Sequence, residues 1–181
     1  RQFTGEQTVL HLRLSYHGGT AVPLSLCGHH TWRFSHQPVV SAVTVPAPYC
    51  YRCPLGLEPK TCATACAQDI EQIILSATSG KIAALIVEPI LGVGGFVDGP
   101  KEYFKIAYET CKKYGGVYIS DEVQTGIGRC GETFFEIENL GVTPDIITMA
   151  KGLGNGAPIG GVVMKSEIAQ SLAGKLHFNT F

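Results

Sequence analysis

An α/β fold, with a mostly parallel sheet flanked by helices, is what this sequence predicts. Short apolar runs recur along the chain, separated by segments whose apolar residues fall at helical spacing. Runs that alternate with helices form βαβ units, whose strands lie parallel in one sheet. A third observation places the chemistry. Two of the runs end in a functional side chain: Asp121 after Val117–Ser120, and Lys151 after Asp145–Ala150. In an open α/β sheet, ligands bind outside the carboxyl ends of the strands.

Taken in order, Gln7 to Ser15 alternates polar and apolar residues and predicts a strand. Tyr16-His17-Gly18-Gly19-Thr20 follows as a glycine-containing turn, where backbone can pass close to a ligand. Val39 to Val45 is a second strand. Pro46 to Lys60 is rich in proline and cysteine and predicts an irregular loop. Ala67 to Ala77 carries Ile70, Ile73, Ile74 and Ala77 on one helical face. Lys81 to Val87 is nearly all apolar, as a strand buried on both faces would be, and Glu88-Pro89 ends it. Pro100 suits a first helical position, Phe104, Ala107, Tyr108 and Cys111 mark one face, and Gly115-Gly116 closes that helix. The strand Val117–Ser120, a helix around Glu132–Asn139 and the strand Asp145–Ala150 come next. An apolar run at Gly160–Met164 and a helix from Ser166 to about Ala173 complete the pattern.

The 181 residues suffice for one domain with a real core. A net charge of -1 gives no electrostatic reason to expect nucleic acid or an anionic membrane as partner. No apolar run approaches the ~20 residues of a membrane helix and no secretory leader opens the chain, so the expected location is cytoplasmic. Seven cysteines, an odd number, are expected to be reduced. The chain starts at Arg1 without a methionine and stops just after an apolar cluster, so a piece of a longer protein is expected.

A carboxylate and a lysine at strand ends suit a cofactor that has a basic ring nitrogen and an aldehyde, which is pyridoxal phosphate. Its protonated pyridine nitrogen accepts electrons, and a shielded carboxylate such as Asp121 keeps that proton in place. Lys151 needs an unprotonated amine, which partial burial would favour. Small residues, Ala150, Gly152 and Gly154, flank it and let a ring approach the backbone. Taken singly, the aspartate also reads as a turn former and the lysine as a solvated cation.

Residues around these two decide between the readings. From Tyr16 to Phe181 the chain resembles class III, fold-type I pyridoxal-phosphate aminotransferases. The resemblance lies in Ser15-Tyr16-His17-Gly18, Val87-Glu88-Pro89-Ile90, the run from Ile119 through Asp121-Glu122-Val123-Gln124-Thr125-Gly126, Thr148-Met149-Ala150-Lys151-Gly152, and His177-Phe178-Asn179-Thr180-Phe181. It implies that Lys151 is the Schiff-base lysine and proton shuttle and that Asp121 pairs with the pyridine nitrogen. By the same resemblance, Gln124 bonds the ring's phenolic oxygen, Val123 lies on one ring face and Tyr16 stacks on the other. His17 and Glu88 would stand among the cofactor's contacts, and Thr180 would reach the phosphate of the neighbouring subunit in a homodimer. The implied reaction moves an amino group from an amino acid to a keto acid such as pyruvate or glyoxylate. An aminomutase of the same fold is the alternative within enzymes, and a non-catalytic scaffold with a cysteine-rich metal-binding loop is the alternative outside them.

Two departures refine the resemblance. Members acting on γ-aminobutyrate or ornithine tend to carry arginine where this chain has Gly19, and Gln-Gly-Glu where it has Leu91-Gly92-Val93. Losing that arginine and glutamate removes a carboxylate clamp and a gate, as in the alanine–glyoxylate branch. The resemblance also implies a phosphate-gripping loop before Arg1 and a C-terminal domain with a carboxylate-binding arginine after Phe181. The 181 residues would then be the central part of the large cofactor domain and inactive alone.

Elsewhere, Cys50-x2-Cys53-x8-Cys62-x3-Cys66 could hold zinc or an iron–sulfur cluster, but the wider second pair and the lack of a nearby histidine favour free thiols packing a loop. Gly152 to Gly156 lacks dinucleotide-fingerprint spacing. His29, His30 and His36 belong to a polar loop, and Asp69, Glu71, Lys112 and Lys113 to solvated helix faces.

Overall fold

The computed structural model describes residues 1–33, 38–171 and 173. Its elements in chain order are β1 (Val9–Leu12), α1 (Ala21–Ser25), β2 (Ala42–Val45), α2 (Ala65–Ala77), β3 (Ala84–Val87), β4 (Ile90–Leu91), β5 (Val97–Asp98) and α3 (Lys101–Lys113). They continue with β6 (Val117–Asp121), α4 (Glu136–Asn139), β7 (Ile146–Met149), β8 (Gly161–Met164) and α5 (Ser166–Gln170). Six strands form one sheet in the order β2-β1-β3-β6-β7-β8, and β4 and β5 make a separate hairpin. All pairings in the large sheet are parallel except β7 with β8. The expected mostly parallel sheet is therefore present.

Alternation along the strands builds two cores. Leu10 and Leu12 of β1, Leu85 and Val87 of β3, and Tyr118 of β6 point to the face covered by α2 and α3. Ile70 and Ile74 of α2 and Phe104, Ala107 and Cys111 of α3 fill that side. Val9, Ala84, Ile86 and Val117 point the other way, onto Leu26 and Ile168 of α5. The near-continuous apolar reading of β3 follows from its central place, buried on both faces.

Strand and helix ends differ from the sequence reading by one to three residues. Pro100 is the residue just before α3, in extended conformation (φ -63°, ψ 142°), and its carbonyl accepts from the Tyr103 N–H at 3.0 Å. The helix expected over Glu132–Asn139 is a single turn, because the buried Glu122 carboxylate takes the N–H groups of Glu136 (3.2 Å) and Ile137 (2.9 Å) and sets its start. Gly116 has no room for a side chain: a Cβ there would stand 2.8 Å from both Cys111 Sγ and an Ile82 carbon.

Lys112 is exposed, as expected of a solvated helix face, and is also paired there. Its Nζ bonds Asp145 Oδ2 at 2.7 Å, Lys165 Nζ bonds Asp145 Oδ1 at 2.7 Å, and the Tyr118 N–H donates to Asp145 Oδ2 at 2.8 Å. Asp145 is buried, and this one carboxylate ties α3, β6 and the segment entering α5 together. Burial alone would raise its pKa, but the two ammonium groups and the N–H outweigh that and lower it. Lys113 does lie on an exposed face, paired with Glu71 at 2.5 Å. At the sheet edge, Val162 and Val163 of β8 are exposed although the run is apolar.

Candidate active site

Because β1, β3, β6 and β7 run parallel, their carboxyl ends meet at one edge of the sheet. Register aligns them closely: Val87 pairs with Ser120, and Asp121 with Thr148. Each strand then hands on a candidate residue. Tyr16 and His17 follow β1, Glu88 follows β3, Asp121 closes β6, and Lys151 stands two residues past β7. All of them, together with Val123 and Gln124, line one cavity of about 300 Å³. A larger cavity of about 460 Å³ adjoins it, sharing Val123, Gln124 and Lys151 and reaching Phe96, Ile127 and Arg129. Thr180 lies outside the described residues.

Asp121 is 6% exposed and held from two sides. The Val123 N–H donates to Oδ1 at 3.1 Å, and His17 Nδ1 stands 2.7 Å from Oδ2. The sequence reading gave His17 no chemistry of its own, yet it is the carboxylate's direct side-chain partner. Its other ring nitrogen, Nε2, is buried without a hydrogen-bond partner among the described residues. Behind it lies His11, whose pKa falls to about 4, first through burial and then through the charge of His17. His11 Nε2 meets Thr44 Oγ1 at 3.0 Å. No motif pointed to His11; its place on an inward-facing strand position was the only available signal.

Glu88 acquires a definite task. Its Oε1 accepts from the Tyr16 N–H at 2.8 Å and its Oε2 from the Gly92 N–H at 3.0 Å. The buried carboxylate thus clips the turn after β1 to the turn after β4. Burial raises its pKa, against the opposing pull of His17 and the two N–H groups. Gly92 is also a space requirement: a Cβ there would fall 1.8 Å from Gln124 Nε2, so glycine is what lets Gln124 lie in the cavity wall. Tyr16 packs its ring 5.5 Å from that of Trp32, tilted by 54°.

Lys151 differs from expectation in two respects. It opens a one-turn 3-10 helix, Lys151–Gly154, with φ +47°, a left-handed conformation that costs a non-glycine residue about 1–2 kcal/mol. It is also exposed rather than partly buried.

Glu122, next to Asp121 in the motif, is structural. Ser120 Oγ donates to it at 3.3 Å, Thr125 Oγ1 donates to it as well, and it receives the α4 N–H groups described above. It fixes the loop that presents Val123 and Gln124. Gly126 belongs to the same loop, its would-be Cβ 2.8 Å from the Glu122 carbonyl.

The sequence pattern of class-III aminotransferases matches residues 1–181, the entire chain. The chain belongs to that family. Among its relatives, the mitochondrial alanine–glyoxylate aminotransferase 2 homolog 2 of Arabidopsis thaliana is 42% identical over 99% of this chain and 36% of its own length. A leucine/methionine racemase of Thermococcus litoralis is 39% identical over 95% of this chain and 39% of its own. An amine transaminase from an uncultivated Pseudomonas species, solved in its PLP-bound form, superposes with a TM-score of 0.86 at 33% identity, over 95% of this chain and 40% of that one. The class-III chain described here has the fold-type I transaminase architecture and spans roughly two fifths of these relatives' length.

Proposed function

We propose that the protein carrying this chain binds pyridoxal phosphate and transfers an amino group from an amino acid to a keto acid such as pyruvate or glyoxylate. The observation that carries the reading is the placing of Asp121 and Lys151 on the walls of one cavity, with the Asp121 carboxylate oriented by His17 and Val123. A cavity of about 300 Å³ is of the size small-molecule sites have. Among its lining side chains, the Asp121 carboxylate, the Lys151 amine, the Gln124 amide and the Tyr16 ring suit a substituted pyridine.

When bound, the cofactor supplies an electron sink and a carbonyl carbon that exchanges amino groups. Asp121 would hold the ring nitrogen's proton, and His17 would keep the carboxylate aimed there. Gln124 would donate to the ring's phenolic oxygen. Val123 and Tyr16 would hold the ring between them, and Glu88 would keep Tyr16 in place through its backbone N–H. Lys151 would attach covalently and afterwards move a proton between the substrate's Cα and the cofactor's C4′. Lys151 has a left-handed backbone and lines both cavities.

The racemase among the relatives supports a second reading, because moving a proton at Cα is common to both reactions. The two separate in one experiment. Full-length protein loaded with pyridoxal phosphate is mixed with L-alanine and no acceptor. Transamination releases pyruvate in stoichiometric amount and converts the cofactor to its amine form; racemisation yields D-alanine and no keto acid. If no amino acid tried yields either product, the reading fails. We propose further that the enzyme is a homodimer in which Thr180 reaches the partner's cofactor phosphate; a monomer by light scattering would refute it.

A further inference from the structure

The cavity of about 460 Å³ is left over once the cofactor's ring has been given the smaller one. It shares Lys151 with that smaller cavity and has a second cation of its own, Arg129. Among the described residues no acidic side chain lines it, whereas Glu88 and Asp121 line its neighbour. Ile90, Phe96 and Ile127 give it an apolar wall. An apolar wall with two cations and no carboxylate suits a small organic anion.

The turn that carries Arg129 is held under strain. Ile127 has φ +62°, a left-handed conformation that β-branched residues rarely adopt. Gly128 follows at φ +71°, and its N–H donates to the Phe134 carbonyl at 3.1 Å. Strain of this kind persists where the surroundings enforce it, and it collects at ligand sites. Here Gly126 anchors the turn, its N–H donating to the Glu122 carbonyl at 2.9 Å. Ile127 lies against the Lys151 segment, since a Cβ on Gly152 would meet the Ile127 Cβ at 3.7 Å. The Arg129 guanidinium is uncommitted: among the described residues no ion pair or side-chain hydrogen bond engages it. Two carboxylates of the same region are taken elsewhere. Glu136 accepts from the Asn139 amide at 3.0 Å, and Glu122 accepts from the α4 N–H groups.

We propose that Arg129 binds the side-chain carboxylate of the amino donor, so that this site takes dicarboxylic amino acids such as aspartate and glutamate. The proposal rests on the transamination reading above and adds a substrate class to it. The reacting carbon would stand at Lys151, which both cavities share, and the methylene chain would lie on Ile127 and Phe96. The distal carboxylate would accept two parallel hydrogen bonds from the guanidinium. A lysine, with its compact ammonium, cannot reproduce that fork. The α-carboxylate is left to the arginine that the family resemblance implies after Phe181.

The test uses the full-length protein loaded with pyridoxal phosphate. Binding is read first, by calorimetry, with glutarate and with pentanoate, acids of equal length that have two carboxylates and one and no amino group to transfer. The wild type should bind glutarate at least about 10-fold more tightly. Arg129→Gln should abolish that preference, and Arg129→Lys should restore only part of it. In single-turnover kinetics, the ratio of kcat/KM for L-glutamate to that for L-norvaline should fall at least about 10-fold in Arg129→Gln, through KM. Equal binding of the two acids by the wild type would overturn the proposal. So would an unchanged ratio in the variant, or equal losses for both amino acids, which would put Arg129 on the α-carboxylate or on the fold. Glutarate binding needs no turnover, so the two claims fail separately. Glutarate held through Arg129 without keto acid formation would sink the transamination reading alone; turnover of norvaline with no preference for glutamate would sink this proposal alone.

Discussion

Burial of His11 beneath the candidate site denies its ring a proton until the pH falls to about 4, against an ordinary value near 6.5. The unfolded chain takes up that proton as the pH falls through its ordinary value, and the folded chain does not. Stability is therefore complete above pH ~6.5 and declines as the pH falls towards about 4, by about 3 kcal/mol. Glu88 and Glu122, whose pKa values burial raises, work in the opposite sense. A His11→Gln variant isolates the histidine: in urea titrations between pH 7 and 4, the wild type should lose about 3 kcal/mol more than the variant. Parallel profiles would remove the claim. At Asp121, Asp121→Asn keeps the shape but removes the charge that holds the ring proton; turnover should fall at least about 100-fold with the fold unchanged by circular dichroism. Gly92→Ala should displace Gln124, since the new methyl would overlap its amide, and the loss should appear as weaker cofactor retention in equilibrium dialysis.

Among the elements, Asp145 joins α3, β6 and the approach to α5 through two ammonium groups and one N–H. Asp145→Asn should cost about 2–3 kcal/mol at neutral pH, discounted for the half-open lysines. Its pKa is lowered in the fold, so the stabilisation is present above the ordinary aspartate value of ~3.9 and is lost as the pH falls through the lower folded value. Wild type and variant should thus converge in acid, as paired urea midpoints at pH 7 and about pH 2 would show; a constant gap would contradict this. The elements were also where sequence patterns read best. β3 and β6, with their apolar runs, and α3, with its single apolar stripe, were legible because burial dictates their composition. The β4–β5 hairpin was not, since two-residue strands carry no period. The shortened α4 was not either, because its start is set by Glu122, 14 residues away in sequence.

Across the whole molecule, the site is a product of topology. Four parallel strands end at one edge, so residues spread from Tyr16 to Lys151 meet in one cavity. Sequence showed the residue types and their order, and motif resemblance supplied their roles. What it could not supply were contacts made across the edge: His17 on Asp121, Glu88 clipping two turns, and Gly92 yielding space to Gln124. Nor could it supply the left-handed backbone at Lys151, which depends on where β7 ends and the next turn begins. The central claim is that Lys151 is the residue to which pyridoxal phosphate attaches. Loading the full-length protein with the cofactor, reducing with borohydride and mapping peptides by mass tests it directly. The account predicts a cofactor-sized addition on Lys151 that Lys151→Ala abolishes; an addition on another lysine, or none in cofactor-saturated wild type, would contradict it.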